Sequence, residues 1–192
     1  MEDGYIKYKS HWKKESIELD PYIIAEISKW RSRFYAKEWI GMYSNGIGFG
    51  NISMKLEEDS FLISGSATGG KSDTNIGDFA IVHNYDLSQN TLSCSGEVIA
   101  SSEAMSHAAL YKNGTSHIVH IHNLFLWKKH LNVLPTISSE IEYGTVEMAM
   151  ALSACKEKIA ADYGIIIMGG HKEGIIAYGT SFEHLFNLFQ SL

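Results

Sequence analysis

Hydrophobic positions in this chain recur with two periods, and the changes from one period to the other predict where helices and strands lie. Across residues 21–43, Ile23, Ile24, Ile27, Trp30, Phe34 and Trp39 follow helical spacing, and Asp20-Pro21 supplies a capping carboxylate and a first-turn proline. Shorter apolar runs at 52–56, 60–64, 79–84 and 91–93 read as strands, the last two flanking a turn rich in Asn, Asp and Ser. Residues 101–111 open on two serines and continue in good helix formers, the signature of a helix N-terminus. Residues 116–123, Ser-His-Ile-Val-His-Ile-His-Asn, alternate apolar with polar and carry β-branched Ile118, Val119 and Ile121, which argues for a strand.

The same reading places a short helix at 124–134, stopped by Pro135, and a longer one from a Thr145 cap to about residue 159. Val146, Met148, Ala149, Leu152 and Cys155 form its inward face. Apolar strands at 165–168 and 175–178 flank a glycine-framed bend, and a last helix at 180–189 buries Phe182, Leu185, Phe186 and Phe189.

Composition narrows the function classes. A chain of 192 residues with 45% hydrophobic content is long enough for one domain with a sizeable core, residues 1–192, of which 1–19 form an N-terminal extension. Sixteen basic against 22 acidic side chains give a net charge of −6, which disfavours nucleic acid or an anionic membrane as partner and favours a small molecule. The N-terminal arm mixes lysines with Tyr5, Tyr8 and Trp12, but Glu15 and Glu18 follow at once. It reads as a solvated segment or one that packs on a neighbouring subunit. Cys94 and Cys155 are too few for a disulfide framework or a zinc ribbon, so burial is their expected role and histidine the expected metal ligand. No apolar run is long enough to span a bilayer and no signal-like apolar block opens the chain, so the expected location is cytoplasmic.

In a strand over 116–123, His120 and His122 share one face, with Cα atoms roughly 6.5–7 Å apart, close enough for both imidazoles to reach one ion. His171, in Gly-Gly-His-Lys-Glu-Gly, is framed by glycines that permit close approach and is a credible third ligand. Glu103 sits in the first turn of the 101–111 helix, where helix-dipole stabilisation is its ordinary role, and His107 on the same face reads as a hydrogen-bonded core histidine. Residues 45–51, Asn-Gly-Ile-Gly-Phe-Gly-Asn, precede a strand instead of following one, which excludes a dinucleotide fingerprint but leaves a glycine-rich turn able to approach an anion. Residues 65–72, Gly-Ser-Ala-Thr-Gly-Gly-Lys-Ser, match a phosphate-loop pattern by letter. The Asp-Thr-Asn-Ile-Gly that follows leaves little room for the helix such a loop needs, which disfavours a nucleotide-hydrolysing or kinase reading and keeps the stretch as a candidate anion cradle without nucleotide.

Gly-Asn before a strand, a Ser/Thr/Gly loop, Ser-Ser-Glu-x-x-x-His, Val-His-x-His and a late Gly-His-x-x-Gly, in this order from about Asp20 to the end, resemble the class II aldolase/adducin family. The resemblance implies a three-layer α/β/α fold around a mainly antiparallel sheet, usually in a fourfold-symmetric tetramer. It implies Zn2+, one per subunit, on His120, His122 and His171, with Glu103 as catalytic acid/base. Gly50, Asn51, Ser101 and Ser102 match a substrate-phosphate pocket, as does the 66–69 loop through Gly69 and either Ser66 or Thr68. The implied activity is that of the fuculose-phosphate-type zinc aldolases: retro-aldol cleavage of a ketose 1-phosphate into dihydroxyacetone phosphate and an aldehyde. A methylthioribulose-phosphate dehydratase-like enzyme and a non-catalytic adducin-like binding domain are the alternatives. One departure stands out: residues 134–143 form a shorter segment than in fuculose-phosphate aldolases, without an obvious counterpart of the tyrosine those enzymes lend to a neighbouring site.

Overall fold

A computed structural model of the chain describes residues 5–57 and 59–192. In chain order its elements are β1 (Lys9–Lys14), α1 (Pro21–Ala36), β2 (Gly41–Met42), β3 (Gly48–Phe49), β4 (Asn51–Lys55) and β5 (Phe61–Ser64). A single 3-10 turn (Ile76–Asp78) leads into β6 (Phe79–Asp86), β7 (Thr91–Gly96), α2 (Ala104–Ala108), β8 (His117–His122) and α3 (Leu124–His130). The chain ends with β9 (Thr136–Ile137), α4 (Val146–Ile159), β10 (Gly164–Met168), β11 (Gly174–Gly179) and α5 (Phe182–Gln190).

Among the described residues, nine strands form one sheet in the order β1-β7-β6-β5-β4-β8-β11-β10-β9, while β2 and β3 make a separate ribbon. Pairing is antiparallel except for β1 with β7 and β9 with β10 at the two edges. The alternation in each strand divides the core in two. Val119, Ile121, Ile175, Ala177 and Ile167 face α1 and α5, together with Phe34, Trp39, Phe186 and Phe189. Ile118, Ile176, Tyr178, Ile166 and Met168 face the opposite way, toward α2 and α4. The fold is therefore a large, mostly antiparallel sheet flanked by helices, and α5 buries the four residues its spacing predicts.

Several boundaries differ from expectation for identifiable reasons. Asp20 caps α1 as expected, accepting from Tyr22 N, but the helix ends at Ala36 and does not continue to residue 43. Glu38 adopts φ +57 and turns the chain back, so Trp39 packs beneath the helix against Phe34 and Phe186. The helical periodicity of Trp39 is thus satisfied by tertiary packing. Left-handed Asn132 likewise follows an α3 that closes at His130. In α4 the expected Val146 and Cys155 are only half-buried, while Lys156 is buried. Its ammonium is satisfied there by Leu110 O, Lys112 O and Thr115 Oγ1. The N-terminal arm, expected as an extension, forms edge strand β1, and buried Tyr8 donates to Ala100 O at 2.8 Å.

The 65–72 stretch is no phosphate loop of the nucleotide-binding kind, since a 3-10 turn and not an α-helix follows it: Lys71 pairs with Asp78, whose carboxylate also accepts from the backbone N–H of Asn75, the cap of that turn. What shapes the loop is Arg31 on α1, 1% exposed, whose guanidinium donates to the carbonyls of Thr68 (2.9 Å), Gly69 (2.6 Å) and Lys71. Burial lowers the Arg31 pKa from its ordinary value, yet guanidinium remains charged at any physiological pH. Arg31→Met removes a charged donor from three carbonyls at once. The expected loss of stability is about 3 kcal/mol, measured as a lower urea midpoint with unchanged slope.

Candidate metal and anion site

β8 lies between β4 and β11, and its register decides what surrounds its histidines. His120 pairs with Asn51 on one side and Ile176 on the other, and His122 pairs with Gly174. Both rings emerge on the α2/α4 face, and His171 descends onto them from the bend between β10 and β11. Ring centroids are 4.9 Å (120–122), 5.0 Å (120–171) and 4.7 Å (122–171) apart, and one nitrogen from each residue lies within 4.8 Å of the others. All three residues are buried.

The donor set fits a divalent ion. His122 Nε2 and His171 Nε2 approach to 3.0 Å, and His120 Nε2 is buried without a hydrogen-bond partner among the described residues. His120 Nδ1 lies 3.5 Å from Asn51 Nδ2, while Asn51 Oδ1 is unpartnered. A half-turn of that amide lets Oδ1 accept from Nδ1–H and leaves the lone pair on Nε2. Burial holds His120 and His122 well below the usual imidazole range, with neighbouring imidazoles adding to the effect. Burial, then the nearby Lys7 charge, brings His171 down to about 3. At neutral pH all three are therefore uncharged, the state a metal requires.

A small cleft opens over the triad. It is lined by Gly50, Asn51, Ser66, Gly69, Ser101, Ser102 and Glu103 together with the three histidines, so all but one of the predicted residues meet. Thr68 is the exception. Its hydroxyl donates to Gly65 O at 2.7 Å and the residue does not line the cleft, whereas Ser66 does. Glu103, 4% exposed, stands at the N-cap of α2 and not inside its first turn, and its Oε2 accepts from Ser106 Oγ at 2.7 Å. Ser101 Oγ accepts from Glu103 N, fixing the turn before the helix.

Aromatic residues around the triad went unpredicted. Tyr143 stacks on His171 at 4.4 Å, Lys7 lies 4.1 Å from the centre of the Tyr143 ring and donates to its carbonyl, and Phe49 stacks on His122 at 5.4 Å. Tyr143 ends the segment whose shortness marks this sequence; Tyr43 precedes the Gly-rich turn and Phe49 lies within it, and no periodicity singles them out. His107 is the core histidine expected, with Nδ1 2.6 Å from Ser53 Oγ.

Known proteins supply an independent comparison. Residues 26–192 match the family described as Class II Aldolase and Adducin N-terminal domain. No curated protein matches the chain. Among solved structures it is similar to YgbL of Klebsiella pneumoniae, whose name leaves the reaction open among aldolase, epimerase and decarboxylase. That pair gives a TM-score of 0.64 at 16% identity over 91% of this chain and 86% of that one. YgbL of Escherichia coli gives 0.62 at 16% identity over 88% and 84%. At such identity the likeness concerns the fold.

Burial of uncharged His107 makes a pH prediction. Its folded pKa is about 3 against an ordinary 6.5, so the unfolded chain binds a proton that the folded chain refuses. The associated stability is fully present above pH 6.5 and is lost as pH falls toward 3. Replacing His107 by Gln should remove up to about 1.4 kcal/mol per pH unit from the acid slope of stability, read from urea midpoints between neutral pH and the acid limb.

Proposed function

We propose, for a chain that belongs to the class II aldolase and adducin N-terminal domain family, a metal-dependent lyase that splits a ketose 1-phosphate into dihydroxyacetone phosphate and an aldehyde. The observation that carries this reading is the meeting, in one cleft, of three uncharged imidazoles, a buried carboxylate and a rim of hydroxyls and glycine backbone. His120, His122 and His171 would hold the ion, zinc being a metal that accepts three imidazoles and keeps an open position. When bound it supplies a Lewis acid for a carbonyl oxygen and its neighbouring hydroxyl.

The remaining work falls to side chains of this chain. Asn51, Ser66, Ser101 and Ser102 offer uncharged donors, and Gly50 and Gly69 allow backbone to come close, which together suit a phosphate held at a set distance from the triad. Retro-aldol cleavage moves a proton from the hydroxyl that becomes the aldehyde and, after the carbon–carbon bond breaks, places a proton on the carbon left behind. As a carboxylate, Glu103 takes the proton from that hydroxyl and, once the bond has broken, returns it as the acid to the carbon; the synthetic direction reverses both transfers, and Ser106 holds Oε2 in place.

The reading predicts aldehyde and dihydroxyacetone phosphate from at least one member of a panel of ketose 1-phosphates. Glu103→Gln should lower kcat by about 100-fold or more with zinc content unchanged, and chelation should abolish turnover until zinc is returned. Equal rates for wild type and Glu103→Gln would remove Glu103 from the mechanism. A dehydrated product with its carbon skeleton whole would favour the dehydratase, and protein that takes up no divalent metal would favour the adducin-like binding domain.

A further inference from the structure

Two residues absent from the expected set stand behind His122. Tyr43 Oη lies 2.7 Å from His122 Nδ1 and donates to Glu173 Oε2 at 3.0 Å. A phenol has one hydrogen to give, and a carboxylate draws it more strongly than an uncharged imidazole nitrogen does. With that hydrogen directed at Glu173, the phenol oxygen accepts from His122 Nδ1–H. The lone pair of His122 is thereby left on Nε2, the atom that faces His171 Nε2 at 3.0 Å.

The backbone of Glu173 is a separate observation. It adopts φ +73, a left-handed conformation that glycine occupies freely and a glutamate occupies only at a cost. The position lies in the bend between His171 and Gly174, where glycine already recurs at 169 and 170. A carboxylate kept there against its backbone preference reaches across to Tyr43, so the loop that carries His171 is tied to the strand that carries His122. Phe49 braces the arrangement, packing on the Tyr43 ring at 4.5 Å and on His122 at 5.4 Å.

We infer that Tyr43 and Glu173 are positioning residues that fix the tautomer of His122 and its place relative to His171. This rests on the reading of the three histidines as a metal centre, and it extends that reading from the ligands to the groups that orient them. Neither residue needs to touch substrate.

Zinc affinity of the intact chain, measured by competition with a chromophoric chelator, tests it together with the thermal midpoint of the metal-free protein. Tyr43→Phe should weaken zinc by about tenfold or more. Glu173→Gly should weaken it similarly while the metal-free protein melts at or above the wild-type temperature, because the left-handed backbone no longer carries a side chain. Since the two act in series, the double variant should lose no more than the larger single loss. Unchanged zinc affinity in both single variants overturns the relay, and so do losses that multiply in the double variant. A lower metal-free midpoint for Glu173→Gly overturns the claim that position 173 is kept against its backbone preference. Wild-type protein that binds no zinc overturns the metal reading itself and the relay with it.

Discussion

The site depends on close approach at position 174. A Cβ built there would stand 2.5 Å from His171 Cδ2 and 3.0 Å from His120 Nε2, so the His171 ring would have to shift. Because Gly174 begins β11 and pairs with His122, the space beside the strand histidines is filled by the ring of a residue from the preceding bend. Strand register does the rest. A slip of one residue in β8 would send His120 and His122 to the α1/α5 face and turn Val119 and Ile121 toward the cleft, exchanging a packed core for buried polar rings. Hydrophobic burial on both faces of the sheet therefore specifies the position of the chemistry.

That coupling explains which parts of the molecule were legible in its sequence. The face shared by His120 and His122 follows from strand periodicity alone, and the apolar stripe of α5 follows from helical spacing. Caps at Asp20 and Thr145 are local chemistry and were equally readable. Positions where distant packing competes with local rhythm were not. Trp39 fits a helical pattern but lies beyond a left-handed turn, and Lys156 is buried because three oxygens from the 110–115 segment await it. In the site, His171 could be proposed as the ligand completing the strand pair from its glycine frame, and the family pattern named the same residue. Tyr43, Phe49 and Tyr143 carry no spacing signal, since each acts by stacking or hydrogen bonding to a group far away in sequence. Thr68 and Ser66 could not be told apart until the inward bond from Thr68 to Gly65 O was visible.

Groups borne by strands and groups borne by turns are held by different means. His120, His122 and Asn51 lie on central strands, where ladder hydrogen bonds and two cores already fix the backbone. Other groups sit on connections, and there polar anchors hold several of them: Ser106 behind Glu103, Arg31 behind the 66–71 loop, and Tyr43 on Glu173 of the bend that carries His171. These anchors are not obvious gains in stability, for a buried guanidinium and left-handed Glu173 and Ala67 each carry a cost. Such costs are tolerable because the sheet, covered on both faces, supplies the fold's cohesion elsewhere. A turn needs a partner to hold its backbone within the tolerance that proton transfer and ion coordination demand, whereas on a central strand the ladder fixes the backbone and a partner such as Tyr43 only orients the ring. On that argument the connections are where this molecule exchanges stability for position.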